Sequence, residues 1–330
     1  MSEFLVATDA HGATLDDLVA TYKSLVVSGS KDIKWFVYGA VPDAVKHLQR
    51  RWSFRRVRVV ATADEFKTSD FVIFLNAGDG LYRESLVSVR EAIHKNAATD
   101  LIYGDAAHPT GIKAEPLSFV RRPGWSPERL RGHCYVGETL VARTEVVERA
   151  GGITELVVQH PHDRALRLTE NAKNIVRMPE LLTMAKSRDT RPSASLDAVI
   201  KHCARQKIDA NCELDAAVPS VRVKRNLTTQ PSVAVIVPTR GTSAEVFGSK
   251  RVLVVEAVRS LFEKSTYQNF EVVVVADTPT PQTVLDTLRE IGGARLKIIN
   301  YDRPFNFAEK NNLGAMSCES DLILLLNDDT

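Results

Sequence analysis

No stretch of this chain carries the roughly 18 to 20 consecutive apolar residues that a membrane-spanning helix requires. Its start, MSEFLVATDAHG, has neither a basic leader nor an apolar run of signal-peptide length, so a soluble or peripheral protein is expected. Cysteine is scarce: Cys134, Cys203, Cys212 and Cys318 show neither CxxC spacing nor a disulfide framework, which makes a reducing cytoplasm the default and the four residues packed or free thiols. Charge of one sign is missing too. With 43 Lys and Arg against 41 Asp and Glu the net charge is +2, and the concentrated basic footprint of a nucleic-acid binder is absent. The one dense cluster, Arg50, Arg51, Arg55, Arg56 and Arg58 around Trp52 and Phe54, reads as a solvated helix end running into a strand. Its other reading is a patch for anionic lipid headgroups, with the protein peripheral at the inner face of the plasma membrane. Finally, no GxGxxG follows either first strand, which excludes the dinucleotide fingerprint of a Rossmann oxidoreductase.

What is present is an alternation of short β-rich apolar runs with amphipathic stretches, the pattern of an α/β protein with a largely parallel sheet. Phe4, Ile33, Val57 and Phe71 each open a predicted strand, and Leu15 to Val27, Pro42 to Leu48 and Glu84 to His94 are predicted helices. LIYGD from Leu101 is a further strand, and short helices are expected over Glu145 to Ala150 and around Ala165 to Glu170. The alternation restarts at Val233: VAVIVP, a polar loop, a helix over Arg251 to Lys264, FEVVVVA, a helix over Pro281 to Ile291, and LKIIN. Two series in a chain of 330 residues imply two domains, expected over 1–190 and 231–330, with 191–230 as a connector packed on the first.

An internal repeat joins the two. Residues 69–79 read SDFVIFLNAGD and residues 320–330 read SDLILLLNDDT, sharing a Ser-Asp, a five-residue apolar strand and a terminal Asn. Polar matches at both ends favour a duplicated fold unit over chance similarity between apolar runs.

In open parallel sheets ligands sit outside the carboxyl ends of the strands. Pro238, Thr239 and Arg240, then Asp277, then Asn327, Asp328 and Asp329 end three predicted strands and so point to one crevice. Hard oxygen ligands there suit Mg²⁺ or Mn²⁺, which keep part of their coordination for substrate phosphates. The same Asn-Asp-Asp-Thr is also good turn chemistry, and spacing alone leaves both readings open.

The stretches PSVAVIVPTRG, SLFEKSTYQNFEVVVVADTPTP and INYDRPFNFAEKNNLGAMSCESDLILLLNDDT together resemble the first half of a family 2 glycosyltransferase domain with the GT-A fold. That resemblance implies that Thr239 and Asp277 hold a nucleotide, that Asn312 lies near the sugar diphosphate, and that Asp329 is the metal-binding carboxylate. Two positions depart from the family pattern: Ala276 stands where many relatives carry an acid, and Asn327 replaces the first Asp of the stricter metal motif. The first domain resembles the same family in FVIFLNAGDGLYRESL, LIYGD, RRPGWSPERL and GHCYVGETLVARTEVVERAGG. There Trp125 is a candidate for lining an acceptor pocket or a core aromatic, and His133 an acceptor contact or a structural histidine.

The first domain also departs from the pattern. Gly78 stands opposite Asp329, displacing the carboxylate to Asp79, a weak metal candidate. The family's catalytic base position falls on Pro161, which cannot accept a proton, so Asp163, His160 or His162 takes the role or the domain does not catalyse transfer. A metal site on the two histidines alone lacks a third ligand. The implied function is an inverting glycosyltransferase. It would move a sugar from a nucleotide-diphosphate donor to a cell-envelope glycan or polyprenyl-linked acceptor, with its base beyond Thr330 and the present chain inactive by itself. The alternative is a non-catalytic glycan- or nucleotide-binding module that supports a partner enzyme.

Overall fold

The computed structural model describes residues 3–28, 33–39, 43, 57–60, 68–111, 113, 116–186 and 192–330. The expected helix over 42–48 and all of the arginine cluster except the exposed Arg58 lie outside these residues. The chain divides into two compact units, Met1–Asn226 and Leu227–Thr330. Both are α/β, as the alternation of strand and helix patterns requires.

In the first unit β1 (Phe4–Asp9), β2 (Ile33–Tyr38), β3 (Val57–Val60) and β4 (Phe71–Phe74) form a parallel array in the order β3-β2-β1-β4. Alternate residues of β1 enter opposite cores: Phe4 and Val6 on one face, Leu5 and Ala7 on the other. Both faces are covered, which is why these strands read as unbroken apolar runs. Helix α1 (Leu15–Val27) starts at a Thr14/Asp17 capping box and buries Leu18, Tyr22 and Leu25, one stripe at helical spacing. Each fully buried leucine contributes about 1.5–3 kcal/mol. After β5 (Gly80–Leu81) and α2 (Ser85–Lys95), the sheet continues through β8 (Leu140–Arg143), antiparallel to β4, to β6 (Leu101–Pro109) and β9 (Ile175–Met184). A short strand, β7 (Leu117–Val120), pairs with β6. Strand β9 was not legible in the sequence because it contains Pro179. The ladder steps from Gly104–Met178 to Asp105–Leu181, so Pro179 and Glu180 fall in the irregularity, where a missing N–H costs nothing.

Helices α3 (Pro127–Gly132), α4 (Thr144–Arg149), α5 (Ile153–Val158) and α6 (Pro161–Asn171) complete the first unit together with α7 (Pro192–Arg205) and the hairpin β10 (Ala210–Leu214) and β11 (Val221–Arg225). Val199, Cys203 and Val221, from the region read as a connector, sit in the first unit's core.

The second unit is a four-stranded parallel sheet, β12 (Val233–Thr239), β15 (Phe270–Asp277), β16 (Leu296–Tyr301) and β17 (Leu322–Leu325), in the order β16-β15-β12-β17. Where a polar loop was expected, β13 (Ser243–Val246) and β14 (Ser249–Val252) form a hairpin whose two-residue turn puts Phe247 and Gly248 at φ 50° and 74°. Helices α8 (Leu253–Lys264) and α9 (Gln282–Gly292) cover one face of the sheet and α10 (Phe307–Met316) the other. Gly314 lets α10 approach closely, since a methyl group there would overlap Ile236.

The parallel array of the first sheet matches the second sheet strand for strand, β3-β2-β1-β4 against β16-β15-β12-β17. The aspartate shared by the repeat does the same work in both. Asp70 Oδ2 accepts from the backbone N–H of Glu3 at 2.9 Å, and Asp321 Oδ2 from that of Ser232 at 2.8 Å. Each fastens the start of the first strand to the fourth.

Candidate functional site

In each sheet the chain runs outward from the first strand and then returns to its other side, so the topological switch lies between β12 and β17, and between β1 and β4. At the second unit's switch Thr239 ends β12, and its hydroxyl donates to Asp328 Oδ2 at 2.5 Å while accepting from Gly241 N–H at 2.9 Å. Lys310 reaches in from α10. Its ammonium donates to Thr239 O at 2.6 Å and Asp277 Oδ1 at 2.7 Å, and lies 5.7 Å and 5.5 Å from the Tyr301 and Phe305 ring centres. On the open side Arg240 Nε is 3.7 Å from Asp277 Oδ2, and its guanidinium lies over Phe305. Thr239, Arg240, Asp277 and Asp328 therefore meet in one place. Pro238 is the last β12 residue before this group, paired with Val275.

Two sequence candidates stand apart from that group. Asp329 is exposed, one residue beyond the carboxylate that reaches Thr239. Asn312 is exposed on α10, whereas Lys310, Asn311 and Gly314 form the buried face. Lys310 was missed because α10 turns a polar rather than an apolar stripe to the sheet, so no hydrophobic period marks it. A fully buried lysine needs a compensating partner, and Asp277 supplies it.

Register carries the comparison to the first unit. Phe4 pairs with Phe71 as Val233 does with Leu322, and Leu75 N–H bonds to Ala7 O as Leu326 N–H does to Ile236 O. By count along these strands, Ala10 and Gly78 correspond to Thr239 and Asp329, and the position that corresponds to Asp277 is Ala40, which lies outside the described residues. None of these three residues carries a hydroxyl or a carboxylate.

Asp79, the displaced carboxylate, is turned inward. Its Oδ1 accepts Lys186 N–H at 2.5 Å, Asn76 lies 3.5 Å from its Oδ2, and burial, with Glu138 nearby, pushes its pKa up to about 7. A carboxylate so enclosed is a poor cation ligand. On α6 Asp163 sits two residues, about 200°, round the helix from Pro161, and its carboxylate pairs with Arg167 at 2.9 Å and Arg205 at 3.5 Å. It does not line the unit's cavity; His160, Pro161 and His162 do. Trp125 packs against the core and is likewise absent from the cavity wall, whereas His133 lines it. The cavity encloses about 450 Å³ beside Asp79 and Glu138. His162 is fully buried, bonds to Leu130 O through Nε2 at 2.6 Å, and has its pKa pushed down to about 4 by burial. Among the described residues no three His, Cys, Asp or Glu side chains are grouped to hold a metal ion, and no helix is long and apolar enough to cross a membrane.

The chain is 29% identical over 351 residues to the O-antigen biosynthesis protein RfbC of Myxococcus xanthus, covering 97% of this chain and 26% of that protein. It is 24% identical over 312 residues to the uncharacterized protein y4gI of Sinorhizobium fredii, covering 88% and 33%. The chain thus spans about a quarter to a third of these relatives. Among solved structures, S. aureus TarS 1–349 aligns with a TM-score of 0.44 at 13% identity, over 61% of this chain and 64% of that one. Residues 235–330, which carry Thr239, Asp277, Lys310 and Asp328, match the family model described as Glycosyl transferase family 2.

Proposed function

We propose that the second unit is the donor half of an inverting glycosyltransferase that moves a sugar from a nucleotide-diphosphate donor to a cell-envelope glycan or polyprenyl-linked acceptor. The observation that carries this is the meeting of Thr239, Arg240, Asp277 and Asp328 at the switch between β12 and β17, within the segment that matches the family. Lys310 fixes Asp277 and the Thr239 carbonyl, so the donor meets a preformed edge. Arg240, two-thirds exposed, is free to turn toward a diphosphate. Asp329, with Asp328 beside it, would hold Mg²⁺ or Mn²⁺, ions that need only one or two carboxylates when phosphate supplies further oxygens. Such an ion neutralises charge on the departing diphosphate.

The acceptor's proton needs a base, a role assigned to none of Thr239, Arg240, Asp277 and Asp328. For the first unit the better reading is a binding module without turnover, because Ala10, Ala40, Gly78 and Pro161 replace the groups that donor binding and proton transfer need.

Titration calorimetry of UDP, GDP and dTDP with and without Mn²⁺ tests the proposal. Binding that requires Mn²⁺ and disappears in Asp329→Ala supports it; binding indifferent to both overturns it.

A further inference from the structure

The first unit's cavity has a wall of unusual composition. Thr139 Oγ1, Thr183 Oγ1 and His162 Nδ1 all belong to residues that line it, all are more than nine-tenths buried, and none has a hydrogen-bond partner among the described residues. Leaving a buried polar atom unmet costs about 1–3 kcal/mol each, so three around one cavity point to a polar occupant. At the mouth Arg121 and Arg129 are exposed, and neither guanidinium makes a hydrogen bond or ion pair with the described residues; that of Arg129 lies 5.6 Å from the Tyr135 ring centre.

These groups constrain the occupant from two sides. Leu130 O can only accept, so His162 Nε2 carries the proton, and Nδ1 of the neutral ring can only accept. Whatever meets it must donate, and a fully ionised anion does not. The arginines ask for negative charge, and the two threonine hydroxyls can give or take a hydrogen bond. A small polyhydroxylated molecule with one acidic group meets all three demands, and a cavity of this size suits it.

We propose that the first unit's cavity binds an anionic sugar, either a sugar acid or a sugar phosphate, whose charge is met by Arg121 and Arg129 and whose hydroxyls are met by Thr139, Thr183 and His162. This builds on the reading of the first unit as a binding module and names what it binds. Asp79 at the inner wall is held near neutrality by burial, and so can donate to a ligand hydroxyl as well as accept from one.

The test is calorimetry on the whole chain in EDTA with four probes: glucuronic acid, glucose 1-phosphate, glucose and inorganic phosphate. Either acidic sugar should bind at least about tenfold more tightly than glucose and than inorganic phosphate. Binding of glucuronic acid alone would identify a carboxylate ligand, and of glucose 1-phosphate alone a phosphorylated one. The double variant Arg121→Gln, Arg129→Gln should lose that preference. Thr183→Val should weaken acidic-sugar binding with no fall in melting temperature, because the hydroxyl it removes has no hydrogen-bond partner among the described residues. Binding of none of the four, equal binding of inorganic phosphate, or unchanged affinity in either variant overturns the proposal. Asp277→Ala separates it from the donor-site reading: that change should abolish nucleotide binding and leave acidic-sugar binding intact. Nucleotide binding that survives Asp277→Ala and competes with the acidic sugar would instead refute the division of roles between the units.

Discussion

Replacing Asp277 by alanine should loosen the second unit far more than replacing Lys310 by methionine. The ammonium of Lys310 is fully buried and held by one carbonyl and one carboxylate, so removing the carboxylate strands a charge in the interior, a change that costs about 3–5 kcal/mol. Lys310→Met removes the charge itself and leaves Asp277 beside Arg240 at 3.7 Å with partial access to solvent, which costs about 1–2 kcal/mol. The assay must see the second unit alone. All three tryptophans, Trp35, Trp52 and Trp125, lie in the first unit, so indole fluorescence is silent about the second. Native-state hydrogen exchange of the Val272 to Val275 amides reads the right sheet. For Asp277→Ala these amides should exchange faster by about two to nearly four orders of magnitude, up to the stability of the unit, and for Lys310→Met by about one. The fluorescence-monitored urea midpoint should not move in either variant. Equal acceleration in both, or less than tenfold in Asp277→Ala, would refute the view that Asp277 compensates a buried charge.

Asp79 gives the first unit a pH dependence of opposite sign to that of an ion-paired carboxylate. Its folded pKa of about 7 lies above the unfolded value near 4, so the folded state holds a proton that the unfolded state has lost. Stability should therefore fall by on the order of a few kcal/mol from about pH 4 to pH 7 and level off above, and Asp79→Asn should flatten that slope in fluorescence-monitored urea titrations; an unchanged slope would contradict the assignment. Trp125→Ala should lower first-unit stability by about 2–3 kcal/mol while leaving acidic-sugar affinity within twofold in calorimetry, as expected of a core residue outside the cavity wall. Asp329→Ala should remove Mn²⁺-dependent nucleotide binding without changing the exchange of β12 and β15, because Asp329 is exposed.

The sequence carried most of the frame, for a physical reason. Strands buried on both faces must be continuously apolar and α1 must show a helical stripe, so β1, β2, β4, β12, β15 and α1 were all readable. Elements that depend on partners were not. Strand β9 carries Pro179 through a ladder irregularity, and the β13–β14 turn places Phe247 at positive φ, where turn chemistry alone predicts Asn or Gly. At the candidate site, Thr239, Asp277 and Asp328 were legible because strand ends in a parallel sheet converge by topology. Lys310 was not, since only tertiary packing turns that face of α10 inward. Asp163 sits about 200° round α6 from Pro161, a placement that follows from helix geometry and that its sequence neighbourhood alone does not display.

The repeat separates scaffold from chemistry. Its Ser-Asp carries a backbone fastening that both units use at nearly the same distance, Asp70 to Glu3 and Asp321 to Ser232, so that part of the motif is explained by the sheet alone. Function has to reside in the residues just past the shared strand and in those that face its end. There the units diverge as a set: hydroxyl and carboxylates at Thr239, Asp277 and Asp329 against Ala10, Ala40 and Gly78. The connection into the fourth strand, residues 302–321 in the second unit, carries Lys310, whereas its counterpart in the first, residues 61–70, is half as long. A single lost side chain can be replaced by a neighbour, as Asp79 superficially suggests for Gly78. Three groups differ together, and the segment that carries a fourth differs in length, so the two units differ as sets of residues rather than at one position. Among the described residues, His162, Thr139 and Thr183 each leave a polar atom unmet around the cavity that Asp79 also lines, and the anionic-sugar binding proposed there would depend on arginine charge.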